Sequence, residues 1–384
     1  MKKEVSHPQT LPEDLIHEIL LRLPMKALLR FKSVQKSWLS LISHPGFAES
    51  HYDLAAGTTH RLLLNCSVGL FGPEIASIEV ETLLDTCYVD MISNIPLPLS
   101  GMGSATNIVG SCRGFVLITS STTGIENMHD NDFYDFAIWN PTTGQRIQRR
   151  TNHVYINSYL SGIGYDSSTD DYVVAILELS LDNDMPLCPI VHFFSLRTNS
   201  WSCVKGTFPC YLPGPKHFRN NFMHIFLNGA LHWMAASDND IGVIVAFDVS
   251  ERSVSDIKLS RYLTARWPFK LHHLTVMEGL LCLCLSDYTE DLRITEIWMM
   301  KEYKVQESWT KLYAISNDIY DCLPLFIPIY FTKTGEILES SLTCVLLAKL
   351  NNKGEGLRRW GFGQTYIRAT CMYRESLLSL PVEF

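Results

Sequence analysis

Apolar residues fall in two rhythms along this chain. Between Leu11 and Phe47 they recur every three or four positions, the period of a helix with one apolar side. Leu11, Leu15, Ile16, Ile19, Leu20 and Leu23 draw one stripe, and Pro24 ends it. Thr10 followed by Glu13 has the spacing of a capping box, and Pro12 suits a first turn whose amides have no helical partner. A second helix is expected from Met25, exposing Leu28, Leu29, Phe31 and Val34. A third carries Trp38, Leu41 and Ile42 and stops at His44-Pro45-Gly46. So short a unit buries too little surface to be stable alone. Each large apolar side chain left in water forgoes roughly 1.5–3 kcal/mol. Two readings follow. The segment is either a docking module whose stripe a partner covers, or a helical cap folded onto the body behind it.

From about residue 60 the apolar positions come instead in short runs rich in Val, Ile, Phe, Tyr and Trp, punctuated by Gly, Asn, Asp, Ser and Thr. That pattern predicts many strands joined by tight turns. Glycine opens an apolar run at Gly114 (GFVLI), Gly229 (GALHWM) and Gly279 (GLLCLCL). An apolar strand runs into a polar turn at AIWNPTTGQ, FFSLRTNSW, VAFDVSERS and EIWMMKEYKVQESW. Their landmarks Trp139, Phe194, Phe247 and Trp298 lie 55, 53 and 51 residues apart. A period near fifty is that of kelch-like propeller blades, each a four-stranded sheet. The remaining chain has room for about six to eight such blades. Ring closure also removes long exposed edges. The diglycine of true kelch repeats is absent, so the expected body is propeller-like, with a β-sandwich as the alternative. The expected organisation is α+β and multidomain: a small three-helix unit at 8–52, then an all-β propeller-like domain at 60–384.

Charge narrows the function. Lys+Arg number 32 against Asp+Glu 40, a net charge of −8, and no dense basic stripe is present. This balance offers no electrostatic footprint for nucleic acid. No apolar run approaches the roughly eighteen residues of a membrane span. The opening MKKEVSHPQT has no apolar stretch, so no secretory signal is expected. The 11 cysteines are irregularly spaced and read as reduced thiols of a cytoplasmic or nuclear protein. Cys282 and Cys284 share one face of a strand and line a core more readily than a metal site.

Catalytic signals are weak. Gly110-Ser111-Cys112-Arg113-Gly114 has the form of a nucleophile elbow, but a strand follows it where the motif needs a helix. Gly101-Met102-Gly103 lacks the later glycine of a dinucleotide fingerprint. Asp166, Asp170 and Asp171 miss the spacing of a calcium loop and suit a turn between strands. His232, His272 and His273 have no carboxylate or thiol at ligand spacing, and a buried, satisfied imidazole is the default for His232. Trp139, Trp201, Trp298 and Trp309 read as structural. No cofactor is expected. The stretches that break the repeat, 122–135, 182–189, 209–221 and 260–270, are the candidates for recognition, because loops on a rigid scaffold carry it. The third of these holds Tyr211, His217, Phe218 and Arg219, side chains suited to anchoring an interface.

The helical segment resembles an F-box, the adaptor-binding module of Skp–cullin–F-box ubiquitin ligases. The likeness rests on Leu11-Pro12, the Leu15/Ile19/Leu20 stripe, Leu23-Pro24, Leu28, Arg30-Phe31, Val34, Lys36, Trp38 and Leu41-Ile42. Gln35 stands where many plant relatives have cysteine. The resemblance implies that Leu11, Pro12, Leu15, Ile19, Leu20, Leu23, Pro24, Leu28, Leu29, Phe31, Val34, Lys36 and Trp38 bind a Skp-type adaptor, and through it a cullin–RING ligase. It places Lys26, Arg30, Lys32 and Lys36 near the adaptor's acidic surface, where they aid encounter. SCRGFVLI from Ser111, WNPTTG from Trp139, GIGYDSSTDDYVV from Gly162, SLRTNSW from Ser195, LNGALHWMA from Leu227 and CMYRESLLSLP from Cys371 resemble the F-box-associated domain of plant F-box proteins, in particular the S-locus F-box-like group. The implied function is a non-catalytic, substrate-recognition subunit of a ubiquitin ligase. Its alternative is an adaptor-binding protein that does not promote degradation. The S-locus likeness adds a ribonuclease as one implied target.

Overall fold

The computed structural model describes residues 11–54, 60–68, 73–85, 94–95, 105–121, 134–151, 160–179, 187–212, 224–237, 241–266, 270–287, 294–316, 326–341, 346–351, 353–361 and 365–380. Four helices come first: α1 (Glu13–Leu21), α2 (Met25–Phe31), α3 (Lys36–Ile42) and α4 (Pro45–Leu54). The expected capping box is replaced by a simpler start, with Pro12 at the N-cap position of α1 and no side-chain cap. Thr10 lies outside the described residues. The sequence pattern predicts three helices, and α4 is the addition. His44-Pro45-Gly46 both stops α3 and starts α4. His44 Nδ1 accepts the Gly46 amide hydrogen at 3.1 Å, and Pro45 occupies a first-turn position where its missing N–H costs nothing.

The rest of the described chain is a six-bladed β-propeller. Blade 1 contains β1 (His60–Val68), β2 (Pro73–Glu79) and β3 (Asn94–Ile95), with a short α5 (Val80–Asp85) between the last two. Blade 2 is β4 (Ala105–Cys112), β5 (Phe115–Ser121), β6 (Tyr134–Trp139) and β7 (Arg146–Thr151). Blade 3 is β8 (Leu160–Asp166), β9 (Asp171–Glu178), β10 (Ile190–Ser195) and β11 (Ser200–Lys205). In blade 4 the inner strand is split into β12 (Cys210–Tyr211) and β13 (Ile225–Leu227), both paired to β14 (Ala230–Ser237), with β15 (Gly242–Asp248) and β16 (Ser253–Lys258) outside. A one-turn-plus helix α6 (Arg261–Arg266) leads to blade 5: β17 (Lys270–Met277), β18 (Leu280–Asp287), β19 (Ile294–Met300) and β20 (Trp309–Ser316). Blade 6 is β21 (Phe326–Phe331), β22 (Ile337–Ser341), β23 (Leu346–Leu350) and β24 (Gly356–Gly361). The last strand, β25 (Thr365–Arg374), returns to blade 1 and pairs with β1, so both ends of the propeller close one sheet. The innermost strands touch in sequence from β25 through β4, β8, β13, β17 and β21 back to β25.

The two repeated sequence patterns now have structural causes. The glycine-opened runs follow two-residue hairpin turns, Arg113-Gly114, Asn228-Gly229 and Glu278-Gly279, in which both residues take positive φ. Turns of this hand match the strand twist. The landmarks Trp139, Phe194, Phe247 and Trp298 lie near the ends of the third strands of blades 2 to 5. Near the centre, His224 packs where Gly110 and Gly162 have no side chain. A Cβ on Gly110 would stand 2.3 Å from the imidazole Cε1.

Because each blade is an antiparallel meander, its connections alternate between two ends of the ring. First-to-second and third-to-fourth turns leave one end. Second-to-third loops and blade-to-blade crossovers leave the other, and these include three of the stretches that break the repeat, 122–135, 182–189 and 260–270, while 209–221 takes in β12 and the break in the inner strand of blade 4.

Candidate adaptor-docking site and its seat

Helix α1 separates its apolar residues. Leu15 and Ile19 remain 51% and 50% exposed, and Leu11 beside them is likewise in water, whereas Leu20 is 1% exposed. One stripe in the sequence is therefore two faces in the structure. Leu11, Leu15 and Ile19 recur every four residues on the outer face, and Leu20 and Leu21 point into the core. Leu29 near the end of α2 and Val34 after it are exposed too, as are Pro12, Pro24 and Lys36. Leu39 of α3, which the periodicity did not single out, is exposed as well. Leu28, expected to be exposed, is fully buried, because α2 turns that side onto the core. Leu23, Phe31 and Trp38 are half-buried, and the Phe31 and Trp38 rings lie 5.2 Å apart between centroids. The four cations divide similarly. Lys26, Arg30 and Lys36 stand in solvent, while partial burial of Lys32 lowers its affinity for the proton.

The core face of the helices is continuous with the propeller. Leu20, Leu21, Met25, Leu28, Ile42, Phe47 and Ala48 join one apolar cluster with Phe115, Phe136 and Tyr172 of blades 2 and 3 and with Leu377, Leu378 and Leu380 near the C-terminus. Polar contacts frame it. Glu49 of α4 pairs with Arg113 in the β4–β5 turn. The Tyr52 ring lies under Arg374, 3.5 Å from guanidinium carbon to centroid, and the Tyr52 carbonyl accepts a hydrogen bond from the same group. Arg113 lies 4.2 Å over the Tyr165 ring. Within the helices, His51 Nε2 reaches the Leu23 carbonyl at 2.9 Å, tying α4 to the end of α1.

The weaker chemical candidates resolve into structure. Cys112 is buried, and burial pushes its thiol up to about 12, so it stays protonated in a hairpin. Cys282 and Cys284 are buried together in the core between blades 5 and 6. Asp166 accepts hydrogen bonds from Ser168, Thr169 and Ser250, which hold its carboxyl well below the usual range despite burial. It closes a turn and links blades 3 and 4. His232 is satisfied by the Ile225 carbonyl at 3.1 Å and the Tyr303 hydroxyl at 2.7 Å. Among the described residues no group of three metal-ligating side chains converges. Of the expected target contacts, Tyr211 is buried in the core between blades 4 and 5, where β12 pairs with the end of β14. Its side chain packs there and offers no open contact surface. His217, Phe218 and Arg219 lie outside the described residues, as does Gly101-Met102-Gly103.

The architecture is that of a compact helical unit with uncovered leucines, seated on a six-bladed propeller. Two family models match it: residues 9–49 match the F-box domain, and residues 86–367 match the F-box associated beta propeller domain. The chain belongs to the family of F-box proteins with an F-box-associated β-propeller. It is similar to F-box protein CPR1 of Arabidopsis thaliana, 28% identical, over 80% of this chain and 73% of that one. It is likewise similar to F-box/kelch-repeat protein At3g23880 of the same plant, 28% identical over 85% of each chain. Among solved structures, a protein of unknown function from Bacteroides caccae covers 83% of this chain and 100% of its own, at 11% identity and a TM-score of 0.40. That likeness is too low to bear on function. An F-box implies a Skp1-type adaptor and, through it, a cullin–RING ligase. Among the described residues, no helix is long and apolar enough to cross a membrane.

Proposed function

We propose that this chain is the substrate-recognition subunit of a Skp–cullin–F-box ubiquitin ligase. The observation that carries the reading is the grouping of exposed Leu11, Leu15, Ile19, Leu29 and Val34 within one short helical unit. A soluble partner's groove or helix face would cover them, since leaving them in water forgoes burial energy. Leu20 and Leu28 take part by holding the helices in shape, and Trp38 by bordering the patch. The propeller then presents a target protein to the ligase. Target capture falls to the end of the ring opposite the helices, where the long connections leave the blades, with His217, Phe218 and Arg219 among its contacts. Bond making and breaking belong to the ligase's other subunits. This chain supplies proximity, converting an encounter into an effectively intramolecular step.

Co-purification from plant tissue tests the proposal, with the wild type compared against a Leu15→Ala/Ile19→Ala form and bound proteins identified by mass spectrometry. The expected result is adaptor and cullin lost from the variant, with a further protein kept by both. A target whose half-life rises under proteasome inhibition supports degradation as the outcome, and a stable one supports a non-degradative adaptor-binding role. A ribonuclease among the retained proteins would bear out the S-locus likeness. Wild-type chain that brings down no adaptor would overturn the docking assignment.

A further inference from the structure

The sequence motifs most typical of the propeller meet at one place, and that place is the underside of the helical unit. Asn140, in the WNPTTG turn, is fully buried and donates its amide to the Ser376 and Leu378 carbonyls at 3.0 and 3.2 Å. Its own Oδ1 accepts from the Thr142 amide at 2.9 Å, so the turn is shaped to hold a passing chain. Gln145 Oε1 accepts from the Leu380 amide at 3.0 Å, and Thr142 Oγ1 from the Ser376 amide at 3.3 Å. Gly114 leaves room for Ser376, which a Cβ would meet at 2.2 Å. The chain after β25 is thus laid across the end of blade 2. Its Leu377, Leu378 and Leu380 join the cluster that receives the helices.

Arginine placement points the same way. Three hairpins share the two-residue turn with positive φ at both positions, and their first residues are Arg113, Asn228 and Glu278. Asparagine suits that backbone and arginine does not. Asn228 and Glu278 are exposed, whereas Arg113 reaches Glu49 of α4, the Tyr165 ring and, at 5.3 Å, the Tyr52 ring. Arg374, at the end of β25, covers Tyr52 and binds its carbonyl. Two guanidiniums from separate blades therefore converge on one turn of α4. Flat cations on aromatic faces and charge-assisted hydrogen bonds fix orientation as well as distance.

We infer that Arg113 and Arg374 are positioning residues. Together with the chain segment 375–380, they lock α4, and hence the adaptor-docking patch, at one angle to the target-bearing end of the propeller. The inference rests on the receptor reading for its purpose, but the lock itself is a property of this chain alone. The F-box on this account is a fixed mount.

Hydrogen exchange read by mass spectrometry on the full-length chain tests it, alone and with a purified Skp-type adaptor. In Arg113→Ala/Arg374→Ala, exchange of the α4 segment is expected to accelerate at least tenfold, while β5, β6 and the blades remote from the seat stay at wild-type rates. Adaptor affinity is expected to stay within twofold. Tyr52→Leu should mimic the double variant, and Tyr52→Phe should behave as wild type, because the ring and the carbonyl carry the contact. Unchanged α4 exchange would overturn the inference. Acceleration spread equally over all six blades would also overturn it, since the arginines would then only support the fold. Failure of the wild type to bind adaptor would sink the receptor reading and leave the exchange result to decide the lock by itself.

Discussion

In blades 4 and 5, Leu231, Leu281, Leu283 and Leu285 are all buried, whereas in the F-box Leu11, Leu15, Ile19, Leu29 and Val34 stand largely in water. The residue types are alike. The difference is how many sides each element has covered. A propeller sheet is sandwiched between neighbouring blades, so apolar residues on both of its faces find partners, and the strands read as nearly continuous apolar runs. The F-box helices rest on the propeller by one side only, through Leu20, Met25, Leu28 and Phe47. Their other side keeps its leucines for something outside the chain. Exposure of large apolar residues is thus uninformative in general but telling when it is grouped on one small element.

Truncating the two kinds of leucine separates them most strongly. Leu20→Ala or Leu28→Ala removes a fully buried side chain and is expected to destabilise the chain by about 2–5 kcal/mol, read by denaturant unfolding. Leu15→Ala/Ile19→Ala is expected to move the same curve by less than about 0.5 kcal/mol. Its effect belongs in binding, where loss of anchors worth about 2 kcal/mol or more weakens adaptor affinity by at least roughly thirtyfold. Calorimetric titration with purified adaptor measures it. If the exposed pair proved as costly to folding as Leu20, the two faces of α1 would not be distinct.

Acid should act on the propeller through histidines that the fold keeps neutral. Burial pushes both His224 and His232 down to about 4, and Lys304 near His232 adds to the effect there. Folded, they bind a proton more weakly than the unfolded chain does at about 6.5. Their stabilisation is therefore complete above that value and drains away as pH falls from about 6.5 through 4. Each is worth about 1.4 kcal/mol per pH unit across that window, or about 3 kcal/mol in all. Melting followed from pH 7 to pH 4 should show this slope, and His232→Gln should reduce it by one proton's worth. A flat profile would mean that these imidazoles protonate without unfolding the blades.

What could be read from the sequence depended on how local the cause was. Spacings of 55, 53 and 51 residues mark real third strands, because each blade repeats the same apolar strand and polar turn. Blade 1 has no such mark, since it is assembled from β1 to β3 and the distant β25. The helical stripe was visible, but its division was not. Periodicity reports that Leu15 and Leu20 are apolar, and only the packing of the helices on one another, on blades 2 and 3 and on Leu377, Leu378 and Leu380 decides which of them is covered. Leu28 was placed on the wrong side for the same reason. Tyr211 looked like a contact residue because it sits in a stretch rich in proline and aromatics, yet the two-residue strand it forms buries it. Tyr52, Glu49, Arg113 and Arg374 carried only faint signals. The arginine in a turn that favours asparagine was the best of them.

The smallest effect compares two glycines at the same end of blade 2. Gly144 has φ of 78° and nothing within 4 Å of where a Cβ would stand, so Gly144→Ala meets only backbone strain. That is worth about 1 kcal/mol. Gly114 has φ of 84°, and its Cβ would also meet the Ser376 side chain at 2.2 Å and the Arg374 carbonyl at 3.0 Å. Gly114→Ala is expected to cost about 2 kcal/mol, with the excess arising because residues 375–380 must shift. Paired melting curves give the difference, and exchange of the 376–380 segment should rise only in the Gly114 variant. Equal losses at both positions would mean that backbone strain alone is felt, and that the C-terminal segment can move aside without disturbing the seat of the F-box.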